Sequence, residues 1–415
     1  MAIISLNIRL NYRQILELAR ELPDEDKLQK TVMRSFYSLC IAICLCACHS
    51  SETMNGNIFQ VDVKESHSSI QLQLTDLAEV EYIKLANDSD FLVRTKPLVC
   101  SDNYILTKGG NTGEILIFDK TGKAIRRFSN AGNGPHEYNY ITNLLLDEKR
   151  NEIYVHDVFL QKMLVYDMTG AFIREYTMGD ARFIYGFDDA YFLVYNTITN
   201  QTSSDLKPYF TLVSKTDGKV LYTINVPFAS DKKFNLEVTK SNNGESFTYT
   251  AMHLPIIRCS DGYLLNELSS DTIYKLSLTK ELKPFIARTP SISGMSAPIF
   301  LQGGPETERF IFLTKVSVNE NDVKNMFPTT DWVYDKSTGS ISEYEVVNED
   351  YPSKKFTLTS HNVNCDMPFG YGISRYRAYK LVEAYKEGEL HGRLKEIAAT
   401  LQEEDNDVLV LYKFE

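Results

Sequence analysis

Glu114-Ile-Leu-Ile-Phe-Asp-Lys-Thr-Gly-Lys-Ala-Ile-Arg-Arg-Phe128 reads as one β-hairpin: a short apolar strand, an Asp-x-x-Gly turn and a second strand. The pattern returns at Lys162-Met-Leu-Val-Tyr-Asp-Met-Thr-Gly-Ala-Phe-Ile-Arg-Glu-Tyr176. It returns again at Tyr209-Phe-Thr-Leu-Val-Ser-Lys-Thr-Asp-Gly-Lys-Val-Leu-Tyr222. The turn glycines Gly122, Gly170 and Gly218 follow one another at steps of 48 residues. A repeat of roughly 40–50 residues made of strand pairs predicts a β-propeller, each repeat a four-stranded blade.

Working outward, the whole chain of 415 residues is long for one domain, but a closed ring absorbs that length. Its 25 Tyr and 22 Phe against a single Trp suit pleated strand surfaces. A net charge of −11, with no basic run, argues against nucleic acid as a partner. Of seven cysteines, Cys40, Cys44, Cys46 and Cys48 crowd one apolar segment. Cys100, Cys259 and Cys365 are too scattered for a disulfide framework or a metal-binding pair, and are expected to be buried single thiols.

Residues 1–32 carry an amphipathic helical pattern (Ile15, Leu16, Leu18, Ala19, Leu22) unlike anything that follows. Met33-Arg34 then leads into an apolar run over 35–47, too short to span a bilayer and laid out as a secretory signal. Leu45-Cys-Ala-Cys48 resembles the lipobox of bacterial lipoproteins, which implies lipidation of Cys48 and a membrane anchor. A signal belongs at the start of a chain, so translation is expected to begin at Met33, with 1–32 a start-site artefact or extension. Residues 48–57 are read as a polar tether and 58–415 as the propeller.

The first strands are expected at 58–63, 70–74 and 80–85, the last alternating as Val80-Glu-Tyr-Ile-Lys-Leu85. Beyond the opening hairpin, Asn130-Ala-Gly-Asn-Gly-Pro-His-Glu-Tyr138 requires a tight, partly left-handed loop. Ile153-Tyr-Val-His-Asp157 follows as an inner strand. The Gly132–Tyr138 loop, Ile153–Asp157 and Val165–Gly170 together resemble the six-bladed β-propeller lipoproteins of gut Bacteroidetes, relatives in shape of NHL-repeat propellers. That resemblance implies a six-bladed ring and an envelope address, and no particular activity.

Later blades are fainter. Residues 183–195 and 209–226 supply a third; 248–252, 256–259, 263–266 and a hairpin at 271–277 a fourth; 310–317, 332–335 and 341–346 a fifth. The stretches 231–246 and 289–305 are expected to be surface loops. From about 374 to 404 the period turns helical: one helix over 375–386, then, past Gly388, a second whose Leu390, Leu394, Ile397, Ala398 and Leu401 share a face. Asp-Val-Leu-Val-Leu-Tyr-Lys-Phe414 ends the chain as a strand able to clasp the ring by joining a blade begun at the other end.

The candidate ligand-binding residues are His136, Glu137, Tyr138, His156 and Asp157, on connections expected to gather at one mouth. Imidazole with carboxylate can bind a metal or move protons, and His253 is a third histidine to watch. Without a third ligand at a diagnostic spacing, no catalytic residue, metal or cofactor is assigned; the structural alternative is a loop held by Pro135, Glu137 and Tyr138, with a strand-end Asp157 satisfying backbone donors. The repeated turn residues Asp119, Asp167, Asp217 and Asp335 argue for turn geometry over calcium. Gly109-Gly110 and Gly303-Gly304 lack the Lys-Ser/Thr of a phosphate loop, and Tyr138, Tyr140, Tyr185, Tyr371 and Tyr376 are loop aromatics able to stack on sugars or peptides. The expected role is a lipid-anchored envelope module that binds or scaffolds, with a peptide, glycan or envelope protein as partner; the alternative is a lyase or hydrolase acting at the mouth.

Overall fold

A computed structural model describes residues 58–415 except 94, 110–112, 180, 197–209, 229–233, 243–244 and 359–364. The start-site, signal, Cys48 and tether readings of residues 1–57 lie outside the described residues. Among the described residues, no helix is long and apolar enough to cross a membrane.

The chain begins with three strands, β1 (Phe59–Asp62), β2 (Ser69–Gln73) and β3 (Ala78–Lys84). The first blade is β4 (Val99–Cys100), β5 (Tyr104–Lys108), β6 (Ile115–Asp119) and β7 (Ala124–Phe128), and the second β8 (Asn143–Asp147), β9 (Glu152–Asp157), β10 (Lys162–Asp167) and β11 (Phe172–Thr177). The third is β12 (Ala181–Gly186), β13 (Tyr191–Asn196), β14 (Phe210–Ser214) and β15 (Val220–Ile224). A separate hairpin, β16 (Glu237–Asn242) and β17 (Glu245–Thr250), precedes the fourth blade: β18 (Ile256–Cys259), β19 (Gly262–Leu265), β20 (Thr272–Ser277) and β21 (Leu282–Thr289). The fifth is β22 (Ile299–Glu306), β23 (Phe310–Ser317), β24 (Thr329–Asp335) and β25 (Ser340–Val347), with β26 (Lys355–Phe356) beside β25. The sixth holds β27 (Tyr371–Tyr376), the helices α1 (Ala378–Glu387) and α2 (Gly392–Ala398), and β28 (Val408–Phe414).

Each blade is sandwiched between two others, so its middle strands are buried on both faces and read as continuous apolar runs. Ile115–Phe118 and Met163–Tyr166 are buried throughout, whereas the outer β7 exposes Ile125, Arg126 and Arg127, and the outer β11 exposes Ile173 and Thr177. The repeated turn has a repeated mechanism. The Asp119 carboxylate accepts from the Thr121 hydroxyl at 2.6 Å and from the amides of Thr121 and Lys123, and Asp167 does the same with Thr169 and Ala171. These bonds, led by the threonine hydroxyl, hold both carboxyls below their usual range.

The glycines are set by two demands at once. Gly122, Gly170 and Gly218 lie at φ of 85°, 88° and 73°, and each sits against the end of the preceding blade's outer strand. A Cβ on Gly170 would come within 2.6 Å of Phe128 Cγ, and one on Gly218 within 2.6 Å of Tyr176. Gly170→Ala therefore combines a left-handed backbone penalty with a clash between blades, and should cost about 2–4 kcal/mol. A urea-unfolding midpoint unchanged in that variant would refute this reading of the repeat.

The ring closes between its two ends. β28 lies between β27 and β3, with Val408 opposite Lys84 through to Phe414 opposite Ala78. The helices fill the β27–β28 connection; Leu381, Leu390, Leu394, Ile397, Ala398 and Leu401 are buried in one cluster with Val408, Val410 and Tyr412. Gly388, at φ 75°, caps α1.

Several details depart from the sequence reading. β1 and β2 are strands as expected, but they add in parallel to the outer edges of the fourth and fifth blades, against β21 and β25. The fourth blade's hairpin spans β20 and β21, and 248–250 belong to β17. The expected surface loop over 289–305 contains β22, whose residues 300–305 are buried, and part of 231–246 is strand. Arg375 and Tyr376 end β27, so α1 starts three residues later than expected.

Candidate functional site

Strand order gives the ring two unlike mouths. On one, the two inner strands of each of the first five blades are joined by short turns at 101–103, 148–151, 187–190, 260–261 and 307–309. On the other come the long connections, including 129–142, the β16–β17 hairpin and the α1–α2 segment.

The loop after β7 runs from the rim toward that elaborated mouth. Glu137 folds back to accept from the Gly134 amide at 2.7 Å, and a Cβ on Gly132 would fall 2.0 Å from its carboxylate. Tyr138 is fully buried; its hydroxyl donates to Gly113 O at 2.8 Å and accepts from the Asn130 amide. His136, at φ 67°, stays at the rim, its ring stacked on Phe172 at 3.8 Å and its Nδ1 3.6 Å from Glu175. The motif thus spends Gly132, Glu137 and Tyr138 on its own shape.

Asp157 ends β9 with no exposed surface. One carboxylate oxygen accepts from the amides of Asn139 and Tyr140 at 2.8 and 2.9 Å, the other from those of Phe159 and Leu160 at 2.9 and 3.1 Å. A single buried side chain therefore pins two connections that are distant in sequence. They display Tyr140 and Phe159, 52% and 75% exposed, with ring centroids 5.8 Å apart at 72°. Lys108, at the end of β5, places Nζ 4.8 Å from the Tyr140 ring centroid and donates to Ile141 O at 2.9 Å. The result is a fixed aromatic shelf with an ammonium at one side.

The histidines do not converge. His156 is buried toward the third blade, its Nδ1 3.1 Å from an Asn143 Nδ2 that also donates to Arg182 O. An amide donor there assigns the ring proton to Nε2. His253 Nε2 meets Asn266 O at 2.7 Å, in the seam of the third and fourth blades. Among the described residues, no three His, Cys, Asp or Glu are grouped so as to hold a metal. Burial pushes His156 down to about 4, outweighing the pull of Asp157. The unfolded chain takes up that proton near pH 6.5 and the folded one does not, so stability falls as pH drops from about 6.5 to 4, by up to about 3 kcal/mol. Wild type should lose more stability between pH 7 and 4.5 than His156→Gln in urea titrations; equal losses would contradict this.

An open groove of about 330 Å³ at the short-turn mouth is lined by Asp102, Asp147, Asp189 and Asp366, but Asp147 pairs with Lys215 at 3.2 Å and Asp189 with Lys149 at 3.0 Å. At the axis, Arg258 is paired with Asp366 and bonded to the carbonyls of Met367 and Gly186. The cavity beside it, of about 40 Å³, has room for a water or two. Cys100, Cys259 and Cys365 are free and buried.

Sequence reading put weight on His136, Glu137, Tyr138, His156 and Asp157, and did not single out Phe159 or Lys108. A signal existed. Phe159 and Leu160 are consecutive apolar residues in a tight turn, where polar ones are the rule.

A six-bladed β-propeller with one plain and one elaborated mouth is the class that fold and site define. The chain belongs to the family described as Domain of unknown function (DUF4934), which matches residues 58–413. No curated protein matches it in sequence. Among solved structures it is similar to a protein of Bacteroides fragilis NCTC 9343 whose name gives it as a candidate exported protein: 17% identity, TM-score 0.56, covering 84% of this chain and 99% of that one. It is also similar to a member of the DUF4221 family from Bacteroides vulgatus ATCC 8482, with 11% identity, TM-score 0.41, and 82% and 98% covered. At these identities the likeness is one of fold.

Proposed function

We propose that this chain is a ligand-binding propeller of the cell envelope, taking a glycan or peptide on the Tyr140–Phe159 shelf. The observation that carries the proposal is the buried Asp157 carboxylate, whose four amide bonds hold two exposed aromatic rings in place. Exposed rings bring large contact area with little entropy left to lose once their loops are fixed. Binding also needs no group that the histidines would have to supply. The anchor is a lipid on Cys48 after removal of residues 33–47, in the manner of the lipoprotein resemblance, with the outer membrane as its place. A palmitate label present in wild type and absent in Cys48→Ser is the expected result for the anchor.

For the ligand, soluble protein from Ser50 onward is applied to glycan and peptide arrays beside a Tyr140→Ala/Phe159→Ala variant. The expected outcome is binding by wild type that falls at least tenfold in the variant, with Tm unchanged within about 2 °C because both rings are exposed. Undiminished binding by the variant would refute the shelf as the site.

A further inference from the structure

Lys108 is the odd member of the shelf. It is half-buried at the end of β5, with one donor spent on Ile141 O and the Tyr140 ring alongside. Burial lowers its pKa, and no carboxylate among the described residues pairs with it. Desolvated charges in folded proteins are ordinarily matched by an opposite charge. The Thr95 hydroxyl donates to Lys108 O and the Thr107 hydroxyl to Lys96 O, tying the 95–96 segment to the end of β5.

We infer that the ligand of the shelf is an acidic saccharide, its ring face stacked on Tyr140 and Phe159 and its carboxylate or sulfate meeting Lys108. This inference rests on the shelf being the binding site. The ligand supplies the counter-charge that the protein leaves out. A saccharide fits better than an acidic peptide because the amides of residues 139, 140, 159 and 160 are all consumed by Asp157. The shelf therefore offers no main-chain ladder to an extended peptide; it offers ring faces and a cation, which a sugar with an apolar CH face and an anionic edge uses together.

The test is titration calorimetry of the protein from Ser50 onward with four probes: an oligogalacturonate, its methyl-esterified neutral form, a sulfated galactan oligosaccharide and a decaglutamate peptide. The expected result is tenfold or tighter binding of an acidic saccharide over the neutral form, with that preference shrinking in 0.5 M NaCl. Lys108→Met should abolish the preference while keeping neutral-sugar binding, and Tyr140→Ala/Phe159→Ala should abolish both. Equal affinity for acidic and neutral sugars overturns the inference and leaves the binding site intact. Decaglutamate bound as tightly as the acidic sugars overturns the ligand class. If no saccharide binds while an array ligand still depends on Tyr140 and Phe159, the inference is likewise overturned.

Discussion

A chain ending at Asp407 should show no cooperative unfolding transition. β28 is the middle strand of the closing blade, paired along seven residues with β3 and six with β27. Its residues 408–412 are buried. They join two hydrophobic clusters, one reaching the helices and the fifth blade, the other reaching Ile83, Cys100 and Phe118. Without β28, both neighbouring strands present unpaired edges and the sixth blade has no centre. Calorimetry and near-UV circular dichroism are the measurements: a single sharp transition for the full propeller, and none for the shortened one. Val410→Asp is the milder companion; an unpaired carboxylate at a position with no exposure should cost more than about 4 kcal/mol. A truncated chain that still melts sharply would mean that the ring closes elsewhere.

Asp157→Ala should be the most damaging single change at the mouth. It leaves four amides without their acceptor, and hydrogen bonds to a charged group contribute about 1.5–3 kcal/mol each when the donors stay buried. Water will reach some of those amides once the loops loosen, so the expected net loss is about 3–5 kcal/mol in urea unfolding. Ligand binding should fall with it, because Tyr140 and Phe159 lose their common support. Asp157→Asn should recover little, since one end of the amide turns an N–H toward two donors. If Asp157→Ala unfolds at the wild-type midpoint, the loops are held by something other than this carboxylate.

Much of the architecture is written locally, and what is not has a physical reason. The Asp-x-x-Gly turn is a short-range device, so the hairpins that use it could be read directly. The outer turn of the fourth blade hid because Lys280 takes the left-handed position at φ 69° where the others have glycine, with Ser277 standing in for Asp. β22 looked like a loop because Ile299–Glu306 contains Gly-Gly-Pro. Gly303 packs closely against the fourth blade: a Cβ on it would fall 2.9 Å from Leu264. The added strands β1 and β2 leave no mark of which edge they join, since parallel pairing is a long-range choice. At the mouth, a strand-end Asp157 satisfying backbone donors was legible; that the donors are four amides on two separated loops was not, because it depends on tertiary placement. Lys108 was invisible for the same reason.

The N-terminal strands also set an order of events. Phe59 pairs beside Ile286, Ser69 beside Glu343, and Lys84 beside Val408. A chain synthesised from its N-terminus therefore releases first the strands that must pair last. They wait for more than two hundred residues of partner to appear. Every copy that stops short leaves that belt unfastened, with edges open to the folding and degrading machinery of its compartment. Completion of β28 is thus the event that separates a finished molecule from a disposable one.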